Sequence, residues 1–149
     1  MDVDFAVLAD GVAQRPDGKL DIFGAAFDTV FATSVPAMHP QMALAVRLLM
    51  SRQEAAHQHT VDVILLEADG LEITKARGVL QVSQADLDRV PAGRRIAVGA
   101  VLQFSNVIFP RFGAYHFVVH WDGTEARTPI SLYVAQAPGS ELPQTPSDE

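Results

Sequence analysis

The stretch YHFVVHWDG, residues 115–123, does most to decide the fold of this chain. Its bulky apolar residues occupy alternate positions: Tyr115, Phe117, Val119 and Trp121. A two-residue period is typical of a β-strand with one buried face. The strand leads into Asp122-Gly123, and Asp-Gly tolerates the positive φ angles that tight hairpin turns need. The stretch therefore predicts an antiparallel hairpin whose second strand reaches Val134.

The same dipeptide recurs at Asp17-Gly18 and Asp69-Gly70, each time between segments rich in apolar and β-branched residues. About eight short strands with turns at such spacing are typical of a β-sandwich or a barrel. Tyr115 follows Pro110 and Gly113, which is typical of the tyrosine corner of immunoglobulin-type sandwiches, where the hydroxyl bonds back to the backbone. We therefore predict an all-β, antiparallel, immunoglobulin-like sandwich, with a small β-barrel as the alternative.

Residues Met42–Met50 form a nearly continuous apolar run. Its Ala, Leu and Met residues favour a helix, whereas Pro40 on one side and a polar stretch on the other also fit a buried strand. Because the neighbouring segments are strands, we predict a strand here. Ser83 and Asp86 have the spacing of a capping box, which predicts one helical turn near residues 84–90.

The length of 149 residues suits one domain. From Ala137 onwards the chain is rich in Pro, Ser and acidic residues and carries too little apolar surface to pack. We therefore predict a single sandwich domain over residues 1–136 and a disordered tail over residues 137–149.

The net charge of −7 argues against a nucleic-acid partner, because binding to phosphates requires a basic face. The longest apolar run, Met42–Met50, is too short to span a bilayer. Asp2 and Asp4 stand where a signal peptide carries basic residues, and the chain has no cysteine. We therefore expect a cytoplasmic protein that binds neither nucleic acid nor a membrane.

The histidines provide a pattern with metal chemistry. His57 and His59 are separated by one residue, so on an extended chain both rings point to one face and could share a metal ion, with His116 or His120 as a third ligand. Cupins hold a metal on such a pair, but the glutamate that follows it in cupins is absent here, and Glu67 is too distant. A cupin-like, metal-dependent small-molecule enzyme using His57, His59 and His116 is therefore the alternative hypothesis. Exposed strand histidines without a ligand are the preferred interpretation.

Several segments together resemble a family of small bacterial proteins known as a domain of unknown function, DUF6941. They are Val3–Asp10, Gly18–Gly24, His39-Pro40 with Leu44–Leu49, Phe109-Pro110 with Gly113–Phe117, and Val134–Pro138. The resemblance implies a single-domain bacterial β protein. It supplies no activity and no functional residues.

The sequence contains no nucleophile elbow and no phosphate-binding glycine loop, so we predict no catalytic residues and no cofactor. We predict instead a non-enzymatic binding or assembly module, because sandwiches commonly use edges and end loops to hold partners. The predicted partner is another protein or a second copy of this chain. The predicted surface lies in loops 33–38 and 105–112, with Phe31, Phe109, Arg111 and Phe112 exposed.

Overall fold

The computed structural model describes residues 1–139, without the side chains of residues 124–129. Most of these residues lie in β-strands, joined by short turns and two short helices. The elements are β1 (Asp2–Gln14), β2 (Leu20–Ala25), β3 (Thr29–Ala32), β4 (Ala37–Met50), α1 (Arg52–Ala55), β5 (His59–Glu67), β6 (Glu72–Leu80), α2 (Gln84–Arg89), β7 (Ile96–Phe109), β8 (Gly113–Trp121) and β9 (Thr124–Gln136). No helix in the described part has the length and apolarity needed to cross a membrane.

The strands form two sheets that pack face to face. The first sheet has the order β2-β1-β4-β7 and the second has the order β3-β9-β8-β5-β6. All pairs are antiparallel except β3 and β9, which run parallel. The predicted all-β architecture of two packed sheets is therefore confirmed, with one parallel pair that makes the second sheet mixed.

The main core lies between the two sheets and is built from inward-facing apolar side chains of both. Phe104 on β7 and Phe117 on β8 meet near its centre, with ring centroids 5.4 Å apart and the rings tilted by 54°. Such tilted aromatic pairs add to the stabilisation that comes from burial. The alternation of apolar residues along β8, predicted from residues 115–121, supplies this inner face.

The first sheet also curls on itself. Leu20 on β2 and Gly99 on β7 belong to opposite edges of the sheet, yet the Leu20 side chain lies 3.5 Å from where a Cβ on Gly99 would be. The curled face holds a second, small cluster of Ala9, Val12, Ala43 and Ala45, against which Leu20, Ile22 and Val101 pack. The first sheet is thus a half-barrel, so the sandwich and the barrel that the sequence predicts are both partly realised.

The Asp-Gly pairs make three hairpin turns, as predicted, but of two kinds. At Asp122-Gly123 both residues have positive φ, +48° and +75°, as expected for a tight two-residue turn. At Asp17-Gly18 and Asp69-Gly70 only the glycine has positive φ. In these two turns the Asp side chain accepts a hydrogen bond from the backbone N–H two residues on. The aspartate therefore stabilises the turn with its side chain rather than by its own φ angle.

The apolar run at residues 42–50 is a strand, as predicted, and forms the buried centre of β4. Pro40 is tolerated in the same strand because β1 pairs with β4 only from Ala43 onwards. At Pro40 the strand has a partner on one side alone, so the missing N–H costs no ladder bond between β1 and β4.

The structure has nine strands rather than about eight, because the segment after the first turn is divided. Gly24 and Ala26 both have positive φ, and there the chain leaves the first sheet so that β3 joins the second. Helix α2 confirms the predicted helical turn, whereas α1 was not predicted. The sequence did contain its signal: Ser51 and Glu54 form a complete capping box.

Val3, Phe5 and Val7 occupy alternate positions, which predicts that they share one face of a strand, but this prediction is wrong at the start of β1. A register shift in its pairing with β4 lies between Val3 and Phe5. Val3 packs against the main core, whereas Phe5 lines the curled face of the first sheet. The shift is a β-bulge, in which one extra residue moves the following side chains to the other face.

The predicted disordered tail, residues 137–149, lies outside the described residues from Ser140 onwards. Within the described part, Ala137 donates a backbone hydrogen bond to the carbonyl oxygen of Ala32.

Candidate functional site

One end of the sandwich carries many exposed large apolar side chains. We call it the corner end: it contains residues 110–112, which connect β7 to β8, and register brings Ala37 beside Phe109 and Gly113 beside Val134. Eight large apolar side chains are exposed among those that the structure describes, and six of them lie at or beside this end. These six are Phe31, Met38, Leu71, Ile108, Phe112 and Tyr133.

Three of the predicted surface residues, Phe31, Arg111 and Phe112, are exposed. Phe31 on β3 is 62% exposed, and Phe112 in the corner is 38% exposed. Because Phe31 is opposite Ala135, and the neighbouring Val134 is opposite Gly113, both rings lie at the same end of the second sheet.

Phe109, predicted to be exposed, is fully buried. It remains within β7, and its ring packs edge-to-face on Tyr115 with centroids 5.0 Å apart. The physical reason is a local irregularity at Asn106, which has a φ of +51° and is exposed together with Ser105. After it, Val107 and Phe109 face the core and Ile108 faces outward.

Met38 and Ile108 lie within the predicted surface ranges 33–38 and 105–112, but they belong to strands β4 and β7 rather than to loops. They pair across β4 and β7 and are 60% and 48% exposed. Their exposure can be predicted only when the irregularity at Asn106 is known, because a simple alternation from Phe104 would bury Ile108. We call Phe31, Met38, Ile108 and Phe112 the corner-end patch.

Arg111 is held in place by both its backbone and its side chain. The Tyr115 hydroxyl donates to the Arg111 carbonyl oxygen at 2.7 Å and accepts from the Arg111 N–H at 3.2 Å. This is the hydrogen bonding expected of a tyrosine corner, and burial raises the pKa of Tyr115. The Arg111 guanidinium binds both carboxylate oxygens of Glu67, at 3.0 and 3.3 Å. Arg111 is therefore exposed at the surface, but its bonds to Tyr115 and Glu67 fix it in the corner.

Glu67 is only 6% exposed, and it is the buried charged residue of the described chain. It ends β5, opposite Tyr115 on β8. Hydrogen bonding to Glu67 raises the pKa of Arg111. Since a buried carboxylate needs a charged partner, this ion pair ties residues 110–112 to the end of β5.

The structure does not bring His57, His59 and His116 together. His59 begins β5, where it pairs with Leu80, whereas His116 pairs with Leu66 near the other end of the strand. Seven residues of extended chain separate those positions, about 23 Å at ~3.3 Å per residue. His57 is exposed in the connection before β5. Among the described residues, no group of three or more His, Asp or Glu side chains is placed to hold a metal ion.

His59 has a structural environment of its own. Its Nδ1 lies 2.6 Å from Oδ2 of Asp122, and its Nε2 lies 2.7 Å from the backbone carbonyl oxygen of Glu54. Both neighbours are acceptors, so only the doubly protonated ring can donate to both. Burial opposes the charge on the ring, but the bonds to Asp122 and to the Glu54 carbonyl outweigh it and raise the pKa of His59. The bond from His59 also lowers the pKa of Asp122.

We expect the stability of the protein to depend on pH through His59. Its folded pKa lies above the ordinary 6.5, so its stabilising effect is complete below pH 6.5 and is lost as the pH rises through the folded pKa. The carboxyl of Asp122 has a folded pKa below the ordinary 3.8, so its effect is lost only in acid. The pair of His59 and Asp122 should therefore stabilise the folded protein most between about pH 4 and 6.5.

Urea unfolding of the wild type and of His59→Gln at pH 6 and pH 9 tests this. The stability difference between the two proteins should shrink at pH 9. His57→Gln, at the exposed neighbouring histidine, should match the wild type at both values. An equal His59→Gln deficit at both pH values would contradict the charged state of the ring.

This arrangement defines the class of protein: two packed β-sheets with a fixed, apolar corner at one end. The chain belongs to a family of unknown function, DUF6941, whose sequence profile matches residues 4–135. The match confirms the resemblance in the sequence and covers nearly all of the described chain. Comparison with curated proteins and with solved structures gave no match.

Proposed function

We propose that this protein is a non-enzymatic binding module that holds a segment of another protein against its corner-end patch. The observation that carries the proposal is the exposed cross-strand pair of Met38 and Ile108, with Phe31 and Phe112 at the same end. Soluble proteins rarely leave several large apolar side chains exposed together, and such clusters commonly mark interaction sites.

The chemistry of the patch supports a protein partner. Aromatic residues and methionine are enriched at protein interfaces, and methionine adapts its shape to different apolar surfaces. The patch combines two aromatic rings, one methionine and one isoleucine. Its occupant should therefore be a segment with exposed apolar side chains of its own.

The corner beneath the patch supports binding by a surface that is already ordered. Phe112 follows Arg111, whose backbone and side chain are bonded to Tyr115 and Glu67. A surface held in its binding conformation loses less entropy when a partner docks. The bonds that hold Arg111 should therefore raise the affinity for the partner without contacting it.

We also infer that the sandwich is of the immunoglobulin type. The parallel β3 beside β9, the pairing of β4 with β7 and the hydroxyl bond of Tyr115 support this. Domains of this type commonly bind partners through end loops and edges. The lack of cysteine supports a cytoplasmic location.

Photo-crosslinking from single cysteines tests the proposed surface, because the natural chain has no cysteine. Met38→Cys and Val79→Cys are each labelled with a benzophenone maleimide and irradiated in a lysate of the source cells. Val79 is a matched control: it is 57% exposed, but it pairs with Thr60 at the other end of β5.

We expect one discrete adduct with another protein from position 38 and none of that mass from position 79. An adduct of two copies of this chain from position 38 would overturn the assignment to a different protein. The same adducts from both positions would overturn the assignment to the corner-end patch.

A further inference from the structure

A pocket of about 430 Å³ opens beside the corner-end patch. Phe31 forms part of its wall, together with Phe27, Asp10, Gly24 and His39. Phe31 belongs to both the pocket and the corner-end patch, so the pocket adjoins the patch at that ring.

The carboxylate of Asp10 has an unusual position in this pocket. A Cβ built on Gly24 would lie 2.2 Å from Oδ2 of Asp10, so the carboxylate occupies space that any other residue at position 24 would fill. Gly24 also has a φ of +59°, a conformation that side chains disfavour. The glycine therefore leaves room for the carboxylate at the pocket wall.

Among the described side chains, the Asp10 carboxylate has neither an ion pair nor a hydrogen-bond donor. Other exposed carboxylates nearby in sequence do have cationic partners: Asp4 pairs with Arg47 and Asp21 pairs with Arg15. The carboxylate of Asp28, which precedes β3, accepts only from the Thr29 hydroxyl among the described residues. The pocket lining thus holds the Asp10 carboxylate and His39, with no Lys or Arg side chain.

The walls add a second feature that favours a cation. Phe27 is partly buried and Phe31 is largely exposed. Aromatic faces attract Lys and Arg, and a carboxylate binds the same groups through charge-assisted hydrogen bonds. A net charge of −7 also favours the approach of a positively charged segment.

We propose that this pocket receives an arginine or lysine side chain of the partner protein, anchored by Asp10 and covered by Phe31. The inference rests on the proposed function and adds the chemistry of the partner: a segment with apolar side chains for the patch and one basic side chain for the pocket.

The test uses the full chain and small probes, so it requires no knowledge of the partner. ¹⁵N-labelled protein is titrated with N-acetyl-arginine methylamide up to millimolar concentration, and backbone amide shifts are followed by NMR. The citrulline analogue, which has the same shape without the charge, is the matched probe. Asp10→Asn removes the charge of the pocket, and Asp17→Asn, in the exposed β1–β2 turn, is the matched variant.

We expect saturable shifts at Gly24, Thr29 and Phe31 with the arginine probe. The Kd fitted from these shifts should be about fivefold weaker, or more, with citrulline and in Asp10→Asn, a loss of about 1 kcal/mol in binding free energy. Asp17→Asn should behave as the wild type. Absence of these shifts, or equal shifts with citrulline or in Asp10→Asn, would overturn the pocket assignment. The spectrum of each variant reports whether it is folded.

Failure of this inference is distinguishable from failure of the proposed function. If arginine does not bind but crosslinking from position 38 still captures another protein, the patch stands and the pocket does not. If arginine binds and position 38 captures no other protein, the pocket stands as a cation site and the proposed function fails.

Discussion

Replacing Phe117 with alanine should lower the free energy of unfolding by about 3–5 kcal/mol. Phe117 is fully buried, and its ring packs against Phe104 from the opposite sheet. The substitution removes apolar contact area and leaves a cavity that the two sheets can fill only by moving together. Since domains of this size are stable by about 5–15 kcal/mol, the substitution removes a large share of the total stability. Urea unfolding at 25 °C measures the change.

Val118→Ala serves as the control for Phe117, because Val118 is the next residue on the same strand but faces outward and is half-buried. Its cost should stay below about 1.5 kcal/mol. Similar losses for the two variants would contradict the placement of the core between the two sheets.

The change of Tyr115 to phenylalanine should cost about 1–3 kcal/mol. The ring and its contact with Phe109 are kept, so the loss isolates the hydroxyl. Without it, the N–H and the carbonyl oxygen of Arg111 both lose their partner. A polar backbone group left without a partner costs more than the net value of the bond itself.

Tyr133→Phe is the matched control, because Tyr133 is half-exposed on the outer face of β9. We expect it to change stability by less than about 0.5 kcal/mol. The measurement is again urea unfolding, with amide hydrogen exchange at Arg111 as a local readout. Equal stability of the two variants, together with unchanged exchange at Arg111, would show that the hydroxyl does not hold the corner.

The hairpins could be predicted because their signals are local. The β8–β9 hairpin follows from alternation over residues 115–121 and from one dipeptide, and its turn has the φ angles that this dipeptide favours. The buried strand at residues 42–50 was predictable only from its neighbours, since its composition favours a helix. Helix α1 could also have been found, because its capping box is confined to residues 51–54.

The corner-end patch could be predicted only in part, because the irregularity at Asn106 decides which side chains face outward. That irregularity lies opposite Pro40, which is far away in sequence. A regular alternation from Phe104 cannot foresee it, because such an alternation places Phe109 at the surface and Ile108 in the core. The exposure of Phe31 and Phe112 could be predicted because both residues lie outside the long strands.

The two ion pairs at the ends of β5 could not be predicted from the sequence for a similar reason. Glu67 and Arg111 are 44 residues apart, and His59 and Asp122 are 63 residues apart. Their contacts follow from the register of β5 against β8, which no local pattern specifies. The spacing of His59 to His57 predicts a metal ligand. In the fold, the ring of His59 has an aspartate and a carbonyl oxygen as neighbours instead.

The most direct test of the proposed binding surface is the affinity of the crosslinked partner for two charge variants. Ile108→Glu places a carboxylate in the middle of the patch, and Val79→Glu places the same group on an exposed position at the other end. Isothermal titration calorimetry should give a Kd at least tenfold weaker for Ile108→Glu, a loss of about 1.4 kcal/mol, and a Kd within twofold of the wild type for Val79→Glu. Equal affinity of the two variants for the partner would contradict the assignment of the corner end as the binding surface.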